Sequence, residues 1–142
     1  MRPPRPEEPP DVTRDPKAFT AAIRTRVFAF LRAWSIGDDE AAVALIDAPE
    51  DGDGAPWTPA RLKASREAHR AEHSGLRLDP EARNLRHTSV AVAKDKASWG
   101  VQQMLIDPEG LNDWTAEVEI GLAASREAGQ PVLRLLRLGL LA

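Results

Sequence analysis

Trp99-x-Val101-x-Gln103-x-Leu105, then Asp107-Pro108-x-Gly110-x-Asn112-Asp113-Trp114, then an acidic run to Ala123 and Ser125-x-Glu127-Ala128-Gly129: these residues decide the fold. Trp99, Val101, Gln103 and Leu105 alternate with Gly100, Gln102, Met104 and Ile106. Such alternation is the period of a strand, whose successive side chains point to opposite faces. Asp107 to Asp113 carries turn chemistry: Asp and Asn bond their own backbone, Pro presets φ, and Gly accepts φ > 0. Trp114, Ala116, Val118, Ile120 and Leu122 then point one way and Thr115, Glu117 and Glu119 the other. The reading is a hairpin with one apolar face, its second strand running to Ala123.

Outward from this hairpin the pattern changes in both directions. Residues 132–141 are apolar on both faces except at Arg134 and Arg137. That suits a buried strand, or one whose second face is covered by a second copy or a partner. Upstream, Val90 and Val92 alternate with smaller residues as a further strand, and residues 76–86 read as irregular. Before them the period becomes helical. Asp15-Pro16 is a capping carboxylate followed by Pro at the first helical position. Phe19, Ile23, Val27, Phe30, Leu31 and Trp34 follow on one face, and Gly37 ends the helix. Asp38 caps a short second helix with Ala41, Ala42, Leu45 and Ile46; Thr58-Pro59 opens a third, to about His73. Residues 49–56 form a loop rich in Asp and Gly.

Three helices followed by an antiparallel meander of about four strands make an α+β domain over residues 15–142. Residues 1–14, with five Pro in the first ten positions, form a Pro-rich linker or disordered arm, such as connects a domain to something upstream. A chain of 142 residues with 42% hydrophobic content supports one domain with one core. Four Trp against three Phe and no Tyr make Trp34, Trp57, Trp99 and Trp114 the expected anchors of that core. The net charge of −3 is unlike that of domains whose main task is gripping nucleic acid. The absence of Cys removes disulfides, thiolate metal sites and Cys nucleophiles. No apolar run approaches the ~20 residues of a membrane span, and the cytoplasm is the expected location.

Few motifs carry chemistry. His69-x-x-Glu72-His73 places two imidazoles at i and i+4 with a carboxylate between, formally an inverted zinc-hydrolase pattern. Its plainer reading is a pair of helix-surface or core-edge histidines. Asp107, Glu109 and Asp113 form either an acid/base or metal-binding group at the sheet rim, or simply the turn. Asp51-Gly52-Asp53-Gly54 lacks the later Glu of a calcium loop. Arg24, Arg26 and Arg32, with Arg61, Lys63, Arg66 and Arg70, put positive charge on two helices. The expectation is a solvated face balanced by Glu67 and Glu72, without the interleaved aromatics of a single-strand binder. Phosphate-binding loops, nucleophile elbows and dinucleotide fingerprints are missing from the sequence.

Several pieces in order carry a resemblance. Lys17-Ala18-Phe19-Thr20 follows the Pro-rich approach; Trp57-Thr58-x-x-Arg61-Leu62 and Ala71-Glu72-His73 come next. Trp99-x-Val101-x-Gln103, Asp107-Pro108-x-Gly110-x-x-Asp113-Trp114 and Leu122-Ala123-Ala124-Ser125-x-Glu127-Ala128-Gly129-x-x-Val132 complete the set. From Lys17 onward the chain resembles the uncharacterised domain at the C-terminal end of bacterial DEAD/DEAH-box helicases of the superkiller-like group. The element order is also similar to the nuclear transport factor 2-like cone, in which a curved sheet wraps the first helix.

The resemblance implies a non-catalytic accessory role beside an RNA or DNA helicase, with the motor in cis or in trans. It carries over neither catalytic residues nor a cofactor. In that family the position of His69 is often aromatic, which argues against zinc. The expected contact residues are Glu72, His73, Asp107, Asp113 and Trp114 at the rim, with Trp57 nearby. Nucleic acid would be met only indirectly, a homodimer through the sheet face is a further expectation, and no membrane is involved. The alternative is a small-molecule-binding protein or enzyme of the cone fold, with His73 and Asp113 as acid/base groups in a pocket beneath the sheet.

Overall fold

A computed structural model describes residues 11–47 and 50–141; the Pro-rich residues 1–10 lie outside it. Three helices come first, α1 (Pro16–Ser35), α2 (Asp39–Ala44) and α3 (Pro59–Arg70). A 3₁₀ turn at Leu85–His87 leads into β1 (Thr88–Val92), β2 (Ser98–Leu105) and β3 (Trp114–Gly121). A short helix α4 (Leu122–Ala128) precedes β4 (Leu133–Leu140). The strands pair antiparallel in the order β1-β2-β3-β4, so the domain is α+β.

The caps are those expected from sequence. The Asp15 carboxylate accepts from the backbone N–H of Lys17 and Ala18, Asp38 from Ala41 and Thr58 from Arg61. Each satisfies donors that a helix N-terminus leaves unpaired. Phe19, Ile23, Val27, Phe30, Leu31 and Trp34 are all buried. They pack on the inner face of the sheet, where Phe19 meets Trp99 edge-on with ring centroids 5.1 Å apart. Between Val27 and Phe30 of α1 and Val118 and Leu135 of the sheet only an apolar hollow of about 10 Å³ remains, no more than a single water needs.

Two readings are corrected. The strand expected to reach Ala123 ends at Gly121, and residues 122–128 are helical. Ser125 organises this turn of chain: its hydroxyl donates to the Gly121 carbonyl at 2.5 Å and accepts from the Val132 N–H at 2.9 Å. Gly129 closes α4 at φ 71°, a left-handed cap that suits Gly. The Ser125-x-Glu127-Ala128-Gly129 string is thus a helix end and its staple to β4.

The two-sided apolar pattern of residues 132–141 has a simpler cause than two apolar faces. Glu117 lies opposite Arg137 but Val118 opposite Leu135, so Leu136 is an extra, bulged residue. The bulge shifts the inward parity from Leu133 and Leu135 to Leu138, all buried on one face. The free edge of β4 is covered by the chain after α2. Asp47 bonds Leu133 through both its N–H and its carboxylate, Gly52 N–H donates to the Leu136 carbonyl, and the Trp57 indole N–H donates to the Leu135 carbonyl. Covering an edge in this way blocks pairing with other strands.

Candidate functional site

The sequence-predicted site residues separate into three places. His69, His73, Asp107, Asp113 and Trp114 come together where the end of α3 meets the β2–β3 hairpin. Trp57 stands at the opposite end of α3, buried, with the Arg61 guanidinium 3.7 Å above its ring. Glu72 is exposed in the turn after α3, and its carboxylate has no described bond to the cluster.

The cluster is built by local geometry on both sides. α3 ends at Arg70, so His73 sits just past the helix, yet its N–H still bonds the His69 carbonyl at 2.9 Å. The two imidazoles stack, 4.2 Å apart and 6° from parallel. On the hairpin side the buried Asp107 carboxylate accepts from the N–H of Leu111 at 3.0 Å and of Asn112 at 2.7 Å. Gly110 and Asn112 adopt φ of 76° and 48°, the conformations for which Gly and Asn are suited. This loop geometry delivers Asp113 to His73 and Glu109 to Ser74, whose N–H and hydroxyl both donate to the Glu109 carboxylate. The Arg77 N–H donates to the Ile106 carbonyl at 2.8 Å and completes the seam.

The chemistry of His73 follows from its two partners. Nδ1 lies 2.7 Å from the His69 carbonyl oxygen and Nε2 2.8 Å from Asp113 Oδ1. A carbonyl and a carboxylate only accept, so the charged ring, with both nitrogens donating, is the form that satisfies both partners at once. Burial alone would lower its pKa. The carbonyl and the Asp113 and Asp107 carboxylates outweigh burial and raise it. His69 is the opposite case. Burial first, and then the charge of His73, push it down to about 4. It is a neutral ring between Trp34 and Trp114, which approach edge-on at 5.5 and 5.0 Å, and its Nε2 has no described partner. Burial alone would raise the Asp107 pKa, but the backbone N–H groups of Asn112 and Leu111 lead the causes that lower it.

The zinc reading meets a different ligand set from the one expected. Side-chain donors of His73, Asp107 and Asp113 lie within 4.8 Å of one another, and His69 is not in that group. Such a set suits a divalent cation in principle. Here each member already has an internal partner: His73 the carbonyl and Asp113, Asp107 the loop backbone, Asp113 the imidazolium. For the small-molecule alternative, His73 and Asp113 do converge. They do so through a buried ring and a carboxylate 40% exposed at the surface, away from the hollow beneath the sheet. His73, Asp107 and Trp114 are buried and not rim groups.

Three of the basic residues of the helices are balanced, by other partners than Glu67 and Glu72. Arg26 pairs with Asp47 at 2.8 Å, Arg61 with Asp51 at 2.6 Å and Arg66 with Asp39. Arg24 and Arg32 of α1 come to lie beside Arg83, from the irregular segment that sequence reasoning passed over. Only the hydrophobic entries Leu76, Leu78 and Ala82 in that segment signalled that it folds back on the core.

No curated protein and no solved structure matches the chain. Residues 2–138 match the family described as Domain of unknown function (DUF3516), and the match takes in the hairpin, the α3 seam and most of β4. By that match the chain belongs to the DUF3516 family.

Proposed function

We propose that this domain is a non-catalytic accessory or interaction module that works beside a DEAD/DEAH-box nucleic-acid helicase. The observation that carries the non-catalytic half is the internal pairing of His73, Asp113 and Asp107. His73 and Asp113 hold the end of α3 to the hairpin, Asp107 is taken up by the backbone of its own loop, and His69 is buried between two Trp rings. A reacting site needs a donor or base within reach of a substrate, and here the imidazole is buried. The helicase half is supported by the ordered resemblance from Lys17 to Val132. The likeness to the nuclear transport factor 2-like cone and a cytoplasmic location belong to the same proposal. Among the described residues no helix is long and apolar enough to cross a membrane.

The test is direct. The purified domain is mixed with a superkiller-like helicase of the same organism, and co-elution and the rate of ATP-dependent strand unwinding are measured. Co-elution with a changed unwinding rate is the expected result. Neither co-elution nor a changed rate with any such helicase of that organism overturns the reading.

A further inference from the structure

The surface along α1 gathers several cations into adjoining hollows. Three adjoining hollows, of about 460, 330 and 410 Å³, run between α1 and the segment that carries Leu78, Arg83 and Leu85. The first and second share Ala21 and Arg24; the second and third share Thr25, Phe28 and Arg83. They therefore form one groove. Lys17, Arg24, Arg32 and Arg83 line it, and among the described residues no carboxylate does. Of the other described arginines, Arg77 pairs with Asp79, Arg86 with Glu81 and Arg137 with Glu117, while Arg70, Arg126 and Arg134 are held by carbonyl or hydroxyl oxygens at scattered places. Lys17, Arg32 and Arg83 are exposed and make no ion pair among the described residues.

The groove is fixed in place by its own floor. The Arg24 guanidinium donates to the Arg83 carbonyl and, at 3.2 Å, to the Thr88 hydroxyl, tying the two walls together. The same guanidinium lies 5.4 Å from the centroid of the half-buried Phe28 ring. The interleaved aromatic that sequence reading missed is Phe28, four residues after Arg24 on the same helix face, with the small side chains Ala21, Thr25 and Ala29 beside it.

We infer that this groove binds the phosphate backbone of a single-stranded nucleic acid, with Phe28 offering a face for a base. Unmatched cations favour an anionic occupant by charge complementarity, and guanidinium groups suit phosphate oxygens. A positive groove with an aromatic platform is the physical form of sequence-tolerant single-strand binding. From Lys17 to Arg32 the helix axis runs about 22 Å, roughly six nucleotides of a stacked strand. A strand of bases matches both the cations and Phe28, whereas the carboxylates of an acidic peptide match the cations alone. The inference is independent of the helicase reading, because the domain alone is the binding partner.

The experiment titrates the full chain into fluorescein-labelled twelve-nucleotide oligo(U) and oligo(dT), the matching duplex, and polyglutamate as competitor. Fluorescence anisotropy is read at several salt concentrations. Single strands are expected to bind at low salt, with log K falling against log salt at a slope of roughly −2 to −3 for three or four neutralised phosphates. The double substitution R32E/R83E should weaken binding at least tenfold and flatten that slope. K63E/K94E makes the same change of charge outside the groove and should leave binding within about twofold. F28L keeps an apolar side chain but removes the ring face, and should weaken single-strand binding about fivefold or more. R32Q/R83Q, with folding followed by circular dichroism, serves if the charge reversals disturb the fold. Absence of single-strand binding at low salt, equal binding of duplex, full displacement by polyglutamate, or equal losses in the groove and control variants would each overturn the inference.

Discussion

The seam between α3 and the β2–β3 hairpin and the groove along α1 both gather charged residues, yet they are opposite in kind. In the seam, His73, Asp113, Asp107 and Glu109 each meet a matched donor or acceptor, and two of the four are buried. In the groove, Lys17, Arg32 and Arg83 are exposed and meet no acid among the described residues. A buried polar group must be satisfied internally or it costs stability, whereas an exposed cation is satisfied by water until an anion replaces it. Matched charge is therefore structure, and unmatched exposed charge is capacity to bind. The catalytic-looking string of the sequence falls in the first class and its least conspicuous segment in the second.

If the seam is structure, breaking it must unfold the protein. Trp114→Ala removes the ring that packs edge-on against His69 and near-parallel to Trp34. It should cost about 3–5 kcal/mol in urea unfolding; a loss below about 1 kcal/mol would mean that the seam does not anchor the fold. The next effect is on pH dependence, where the two stacked histidines act in opposite directions. His69 has its pKa lowered to about 4. The neutral ring contributes fully above the ordinary value near 6.5, and its contribution is lost as pH falls from there through about 4. Up to about 3 kcal/mol is at stake on that acid limb. His73 is raised, so its contribution is complete below the ordinary value and is lost as pH rises through the raised one. Urea midpoints against pH should trace a dome, and His69→Phe should flatten the acid side. An unchanged acid limb in that variant would remove His69 from the account.

A smaller effect separates charge from shape within the seam. Asp113→Asn keeps a hydrogen-bond partner for His73 Nε2 but removes the negative charge. With Asp113 40% exposed, the expected loss at pH 6 is about 1 kcal/mol. The His73 titration, followed by NMR, should move down; an unmoved titration would show that Asp113 does not hold the imidazolium. The smallest effect is expected in the groove. R32E/R83E should change unfolding free energy by no more than about 0.5 kcal/mol, because neither side chain has a described partner. A larger loss would place these arginines with the seam, as structure.

The legible parts were those written locally. Asp15-Pro16 and Thr58-Pro59 announced helix starts, and the two-residue period of Trp99 to Leu105 announced a strand, because caps and periods act within a few residues. The turn chemistry of Asp107 to Asp113 was visible for the same reason, and so was the pairing of His73 with Asp113 as candidates. α4 was hidden, since its seven residues continue the apolar alternation of β3 until Ser125 turns the chain. The bulge at Leu136 was hidden too. An extra residue in a strand has no signature of its own, and it imitates a strand with two apolar faces.

The sequence by itself determined the α+β class, the three leading helices, the hairpin and the lack of motifs for nucleotide hydrolysis or thiolate chemistry. It did so because propensity, capping and alternation are properties of neighbours. Only the tertiary structure decided that the pKa of His69 is lowered while that of His73 is raised, since burial and the facing carboxylates come from segments 40 residues apart. It alone decided which arginines find acids, and it alone set Arg83 beside Arg24, 59 residues away in sequence. Ion pairing and groove formation depend on which surfaces the packed core brings face to face, and no local pattern records that.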